Sequence, residues 1–332
     1  MIKHSIRTLL SPRLLCAAVA TAAALAAPCA AQAAYPSKPI RIIVPFTPGT
    51  GVDNIARAVG QKLTERLGVA VIVENKTGVA GNLGAKYVGL AAPDGYTLLA
   101  TSNNLTINAN LYPDPEFNAM KNLAPLSIGA WGNSTLVERP DLKINSLADL
   151  ISYAKANPGK LTFASAGVGS PMHIQLEEFQ ELTGTKFTHI PYKGTGPAEV
   201  DVMGGHVDLA FLATHTVAPN VLNGHIKAIA VGADTRHPVL PNVPSFGEQG
   251  YPKFSTAMWY GFLAPHGTPP EILDKLNKEI VAILAMPDVK GGLEKTGLTV
   301  RATSPQEMED VMQREYTEFG KVIKEANIKA EQ

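Results

Sequence analysis

The sequence predicts an α/β protein of two lobes joined by two crossing strands, with a ligand cleft between them. Three observations predict it. Short apolar strands alternate with amphipathic helical segments, the pattern of a parallel sheet covered on both faces. The alternation runs twice, broken by a change of texture at 125–140. A closing helical segment from Pro269 is too small to form a domain alone, so it packs back on the first lobe and makes that lobe discontinuous. The expected division is a cleaved signal peptide at 1–33, lobe 1 at 34–135 and 254–332, and lobe 2 at 136–253. Residues near 134–138 and 252–260 are the expected hinge strands.

The chain opens on a positive region with Lys3, Arg7 and Arg13, then an Ala-rich apolar run from Leu14 to Ala27. Ala31-Gln32-Ala33 is an A-x-A cleavage signal, so the mature chain is expected to start near Ala34. The apolar run falls short of the roughly 20 residues that a spanning helix needs. Arg41 to Val44 then reads as a strand. Ile55, Ala56, Val59, Leu63 and Leu67 recur at helical spacing, and Gly68 ends that helix. Val69 to Val73 is a second strand, Asn82 to Leu90 a helix, and Tyr96 to Ala100 a third strand. Leu126 to Val137 is strand-like and closes at Pro140.

The second run starts at Ser146-Leu-Ala-Asp149, which resembles a capping box, and its helix stops at Asn157-Pro158-Gly159. Leu161 to Ser165 is a strand, and Pro171 to Leu182 a helix with Gly184 behind it. Strands are expected at Phe187 to Ile190, Val207 to Ala213 and Ile226 to Val231, with a short helix at Ala198 to Met203. Pro238 to Pro252 is a Pro- and Gly-rich connection, and Phe254 to Ala264 has strand character. Leu273, Leu276, Ile280 and Leu284 keep one helical face. Ser304-Pro-Gln-Glu307 is a capping box with Pro at the first helical position.

Composition excludes several functions. The 332 residues carry 29 basic and 29 acidic side chains, 45% hydrophobic and 17% charged residues. That is too apolar for a disordered chain and offers no basic excess for nucleic acid. The two cysteines lie before position 30 and cannot build a disulfide scaffold. Cleavage after Ala33 leaves 299 residues with 26 basic against 29 acidic, a net charge of −3 with histidine neutral. An acidic protein that binds anions must attract them locally, not by its overall field.

Three loops supply such a local field. Val44-Pro-Phe-Thr-Pro-Gly-Thr-Gly-Val-Asp53, Ser165-Ala-Gly-Val-Gly-Ser-Pro-Met-His173 and Ile190-Pro-Tyr-Lys-Gly-Thr-Gly-Pro-Ala198 each put Gly and a hydroxyl residue before a helix start. The first N–H groups of a helix lack internal partners, and the helix dipole favours an anion there. Facing loops from two lobes make a small-anion site at the carboxyl ends of the strands. The first two loops contain no Arg or Lys, and Lys193 is the nearby cation. Asp53 and His173 sit alike, a few residues past the last loop glycine. Asp53 is expected to tether its loop, because a carboxylate facing an anion repels it.

Enzyme patterns are incomplete. Gly49-x-Gly51 meets Asn54 where a dinucleotide fingerprint needs Gly, and no phosphate-binding G-x-x-x-x-G-K-[ST] occurs. Ser170 lacks the G-x-S-x-G frame, so a secreted hydrolase with Ser170 as nucleophile is the weaker class. The histidines do not pair at metal-ligand spacing. No metal, cofactor or catalytic residue is expected.

The chain resembles the periplasmic solute-binding proteins of tripartite tricarboxylate transporters, the Bug family. The resemblance rests on Tyr35-Pro-x-Lys-Pro-Ile-Arg-Ile-Ile-Val-Pro-Phe46, Pro48-Gly-x-Gly-Val-Asp53, Val73-Glu-Asn-Lys-x-Gly78, Gly81-Asn-Leu-Gly-Ala85 and Pro93-Asp-Gly-Tyr-Thr97. Ala166-Gly-x-Gly-Ser170 with His173, Pro191-Tyr-Lys-Gly194, Gly205-His-Val-Asp208, Trp259-Tyr-Gly261 and Ala264-Pro-x-Gly-Thr-Pro269 extend it. It departs at Gly49-Thr50, where the family often has Gly-Gly, and at Lys76-Thr77. The resemblance implies a type II periplasmic-binding-protein fold that closes on a ligand, and a ligand carboxylate held by backbone N–H groups and water. It points to Phe46, Pro48, Gly49 and Thr50, and to Ala166, Gly167, Gly169 and Ser170, with His173 supporting the second loop. Lys193, Gly194 and Thr195 would complete the floor, and Asn103, Asn104, Thr214 and His215 would meet the distal part of the ligand. The implied protein is a monomeric periplasmic receptor for a di-, tri- or aromatic carboxylate. It serves the membrane subunits of a tripartite tricarboxylate transporter or, in the alternative, a sensor kinase.

Overall fold

The structure, a computed structural model, describes residues 35–330. The signal peptide expected at 1–33 lies outside the described residues. No helix among the described residues is long and apolar enough to cross a membrane.

Residues 38–330 form one compact unit built on two sheets. The first has the order β11-β4-β10-β3-β1-β2: Thr299–Val300, Leu123–Gly132, Met258–Pro265, Thr97–Ser102, Ile40–Val44 and Val71–Asn75. The second has the order β7-β6-β8-β5-β9: Thr188–Pro191, Thr162–Ser165, Leu209–Ala213, Ser134–Glu138 and Lys227–Val231.

The sheets are mixed rather than purely parallel. β1 runs parallel to β2 and β3, and β6 parallel to β7 and β8. β10 is antiparallel to β3 and β4, and β5 antiparallel to β8 and β9. Connectivity explains this. The parallel strands end at the cleft, so a chain that arrives from the other sheet enters at their carboxyl ends and runs backwards.

The run read from sequence as one segment, Leu126 to Val137, is two strands. It leaves the first sheet at Gly132 and joins the second at Ser134, with Asn133 between them. The return path covers residues 232–257. Thr256 fastens the two paths together. Its hydroxyl accepts from Ser134 N at 2.8 Å and lies 3.1 and 3.2 Å from the Ser134 and Gly232 carbonyls. Asn133 Nδ2 also donates to Gly232 O at 2.9 Å.

Each sheet buries its own core. Ile43, Leu99, Ile128, Trp259, Leu263 and Met308 pack in the first. In the second, Phe163, Phe179, Phe211, Phe246 and Phe254 form an aromatic cluster. Phe179 meets Phe211 edge-on at 5.9 Å, a favoured geometry for ring quadrupoles.

Helix ends follow the sequence closely. Gly68 closes the helix Gly51–Leu67 at φ 70°, and Gly184 closes Pro171–Thr183 at φ 65°. Helix Pro305–Glu325 starts at Ser304, whose hydroxyl accepts from Glu307 N at 3.1 Å. The Glu307 carboxylate pairs instead with Arg301 at 3.0 Å. Replacing Ser304 with Ala is expected to cost about 1 kcal/mol, measured by urea denaturation. Helices Asn104–Leu111 and Thr214–Leu222 were not anticipated from periodicity. Asn and Thr break the apolar stripe of both, and Pro219 also interrupts the second.

Candidate functional site

The first loop is held from behind. Asp53 is 2% exposed. Its carboxylate accepts from Gly49 N at 3.0 Å, from Arg57 at 2.9 and 3.0 Å, and from Asn75 Nδ2 at 2.9 Å. Asn75 Nδ2 also donates to Phe46 O at 2.9 Å. Burial alone would raise the Asp53 pKa, but the donors from Arg57, Gly49 and Asn75 outweigh it and hold the carboxyl below its ordinary value. Asp53 thus faces its own loop and helix. Its contribution to stability is present above the ordinary carboxylate pKa and is lost as pH falls through the lowered one. Asp53→Asn is expected to lower stability by about 2 kcal/mol near neutral pH and to flatten the acid limb of a denaturation series.

Thr50 caps helix Gly51–Leu67. Its hydroxyl accepts from Asp53 N at 3.4 Å and donates to Thr47 O at 3.1 Å. Gly51 and Val52 occupy the first helical positions, where N–H groups have no intrahelical acceptor. Both are buried.

The second loop is braced by two histidines. Gly169 N donates to His173 Nδ1 at 3.1 Å, so the proton of a neutral His173 sits on Nε2, 3.5 Å from Glu177 Oε1. Both ring nitrogens are therefore committed, and His173 is not placed to activate Ser170. The Ser170 hydroxyl caps its helix, accepting from His173 N at 3.4 Å. His189 stacks on His173 at 3.9 Å between centroids, and its Nε2 meets Ser165 Oγ at 2.6 Å. Burial, with His173 adding to it, pushes His189 down to about 4. Ser165 Oγ in turn accepts from Gly167 N at 3.2 Å. Gly194 N donates to Ala166 O at 3.2 Å, tying the third loop to the second.

The two lobes touch across the cleft. A side chain on Gly169, which has φ +73°, would sit 2.0 Å from Leu111 Cδ2 of the first lobe. Ile107 and Leu111 of the first lobe join Ile174 and Val168 of the second in one apolar cluster. On the other side, His215 projects from the second lobe towards the start of helix Gly51–Leu67. A Cβ on Gly51 would lie 2.7 Å from its Nε2. The His215 ring meets Tyr260 edge-on at 5.6 Å, and neither ring nitrogen has a hydrogen-bond partner. Burial, with His237 nearby, pushes His215 down to about 4, so its imidazole is neutral near pH 7.

Loop and cap contacts join Ala166, Gly167, Gly169, Ser170 and Gly194 of the second and third loops, while Thr50 caps its own helix in the first loop and Thr195 opens the helix Thr195–Met203. The structure gives others different tasks. Gly49, Gly167, Gly169 and Gly194 use their N–H groups within the loops. Asn104 donates its amide to the Ala80 carbonyl, which Asn108 also contacts at 2.8 Å. The Thr214 hydroxyl pairs with Thr135 Oγ1 at 2.8 Å. Asn103 is 2% exposed with Oδ1 unpartnered. Phe46 packs against Gly81, Pro48 stays exposed in the first loop, and Lys193 is exposed. Sequence reading missed Gly51, Val52, Leu111, Tyr260, His189 and Asn75. Gly51 and Val52 lie inside Pro48-Gly-x-Gly-Val-Asp53, Asn75 inside Val73-Glu-Asn-Lys-x-Gly78 and Tyr260 inside Trp259-Tyr-Gly261, whereas no quoted motif holds Leu111 or His189.

Two mixed αβ lobes joined by two chain crossings and touching through Leu111, Gly169 and His215 define the periplasmic-binding-protein class. Comparison with known proteins narrows it. The model of the tripartite tricarboxylate transporter family receptor matches residues 55–328, and the chain belongs to that family. It is 36% identical over 309 residues to the protein BugT of Bordetella pertussis, covering 92% of this chain and 94% of BugT. Rpa4515 of R. palustris, solved with adipate, is 32% identical with a TM-score of 0.81, over 89% of this chain and 99% of that one. MatC of Rhodopseudomonas palustris, solved with malate, is 29% identical with a TM-score of 0.78, over 87% of this chain and 100% of that one.

Proposed function

We propose that the chain is a periplasmic solute receptor that closes on a small carboxylate and delivers it to the membrane subunits of a tripartite tricarboxylate transporter. The observation that carries this reading is that three helices start at Gly51, Pro171 and Thr195, each a few residues after a strand of its sheet, with Asp53 turned away and neutralised by Arg57. A cleft with that field favours an anion and needs no fixed cation at its floor. The adipate and malate bound to the two R. palustris relatives support the ligand class. The reading includes export by the segment 1–33, a monomeric receptor and a binding role without catalysis.

In this reading the contacts between the lobes belong to the closed state, and the ligand acts by binding that state better than the open one. The ligand carboxylate takes the free N–H groups of Thr50, Gly51 and Val52 on one side and of Ala166, Val168 and Met172 on the other. Phe46, Pro48 and the chain at Gly167 to Ser170 shape the walls, Lys193 to Thr195 close the floor, and Asn103 and His215 meet the distal part.

A thermal-shift screen across mono-, di- and tricarboxylates and amines tests it. A ligand at 100 times its Kd adds about 2.7 kcal/mol, which moves the melt visibly. Dicarboxylates or tricarboxylates are expected to shift it most. Equal shifts from neutral amides of the same length would sink the anion reading.

A further inference from the structure

A cavity of about 250 Å³ lies beside the crossing strands, between helix Pro171–Thr183 of the second lobe and helix Pro305–Glu325 of the first, and shares Asn103 with the distal part of the cleft. Ile107, Ile174 and Phe319 form its apolar wall. Its polar wall is unusually rich in acceptors: Asn103, Gln175, Glu178, Glu315 and Glu318 line it, against Arg314 as the single lining cation. Asn103 and Gln175 are 2% and 5% exposed, and Asn103 Oδ1 and Gln175 Oε1 have no hydrogen-bond partner. The orientation of Gln175 is fixed, because its Nε2 faces Thr256 O at 3.4 Å. Glu315 Oε2 accepts from Trp259 Nε1 at 2.8 Å and Thr106 Oγ1 at 3.2 Å. Among the buried side-chain donors of the described residues that line it, Trp131 Nε1 has no hydrogen-bond partner.

Buried acceptors without donors are costly, and buried carboxyls without a cation more so. Burial, with Glu318 and Glu181 adding to it at Glu178, pushes the Glu178 and Glu315 carboxyls up to about 7. Arg314 and Glu318 are exposed at the mouth, where solvent screens them. One species relieves the acceptors among these groups at once: a cation that carries several N–H donors on a short apolar stem. The volume holds several heavy atoms, more than a bare monovalent ion fills.

We propose that this cavity is a second binding site, built to take a primary ammonium group with a short aliphatic stem. The ammonium belongs either to a free amine or to the far end of the ligand in the main cleft. Only the second source rests on the carboxylate reading above.

Calorimetric titration of the mature chain near neutral pH, with n-propylammonium, 5-aminopentanoate and pentanoate, separates these sources. Glu178→Gln and Gln175→Leu are run beside the wild type, and potassium chloride replaces the amine as a control. Saturable binding of n-propylammonium, weakened about tenfold or more in both variants, supports a free-amine site. Binding of 5-aminopentanoate well above pentanoate, weakened in the same way, supports the ligand-end source. Glu178→Gln removes one of two facing like charges, so it is expected to fold. Silence of both amines, binding untouched by both substitutions, or equal occupancy by potassium overturns the inference. Silence of both amines with adipate or malate still bound removes this site alone. Amine binding with no response to any carboxylate removes the receptor reading and keeps the site.

Discussion

Replacing Gly169 with Leu is expected to weaken carboxylate binding by about 100-fold while the protein stays folded. The expectation has two parts. Gly169 holds φ +73°, and a non-glycine residue there costs roughly 1–2 kcal/mol. Its side chain must also enter space already held by Leu111, 2.0 Å from the first added carbon. Overpacking of that kind costs about 1–3 kcal/mol. The clash exists only where the lobes meet, so it acts on the closed state and on binding more than on folding. The strain also pulls on Gly169 N, which anchors His173. Calorimetry reads the loss, and an unchanged circular dichroism spectrum shows that the fold survives. Leu111→Ala in the same chain is expected to restore part of the affinity, because it removes the steric component and leaves the strain.

Replacing Gly232 with Val is expected to destabilise the protein by roughly 3 kcal/mol. Gly232 lies where the chain starts its return to the first sheet. A Cβ there would sit 2.0 Å from Thr256 Oγ1 and 2.4 Å from its methyl carbon. Thr256 is 1% exposed and cannot swing into solvent. Moving it breaks the hydroxyl's contact with Ser134 N and leaves that donor buried without a partner. Thr256→Val removes the same hydrogen bond without the clash and is expected to cost about 1–3 kcal/mol. Urea denaturation of both variants measures the difference. If Gly232→Val melts like the wild type, Thr256 does not fasten the crossings.

Much of the fold was legible because it rests on local signals. Apolar runs such as Arg41 to Val44 mark strands, and Gly68, Gly184 and Ser304 mark helix ends by their own chemistry. The crossing was legible to within a few residues, as a lobe boundary at 135/136 and a hinge strand near 134–138, but the break at Asn133 itself was not. Gly129 and Gly132 both interrupt Leu126 to Val137, and both halves read as strand, so pattern alone cannot show which glycine marks the step between sheets. The antiparallel β5 and β10 likewise follow from the path of the chain and not from residue pattern. Helix Thr214–Leu222 was hidden by Thr216 and Pro219, yet it carries His215 into the cleft.

The site was legible as loops but not as donors. Glycine, hydroxyl and helix start marked the loops at 44–53, 165–173 and 190–198, and each does run from a strand end to a helix start. Which N–H groups are free depends on tertiary partners. The Gly49 N–H goes to Asp53 and the Gly169 N–H to His173, leaving Gly51 and Val52 at the helix start. The acceptor-rich cavity was equally hidden, since Asn103, Gln175 and Glu315 come from three distant parts of the chain.

The central claim is that free backbone N–H groups of two facing loops hold a carboxylate. Amide resonances of the mature chain, followed by nuclear magnetic resonance during titration with the carboxylate that most raises the melting temperature, test it directly. The account predicts that Thr50, Gly51, Val52, Ala166, Val168 and Met172 move most, with their protons shifting downfield, and that the dimethyl ester leaves them in place. Unmoved resonances at these positions, with the largest changes elsewhere, would contradict it.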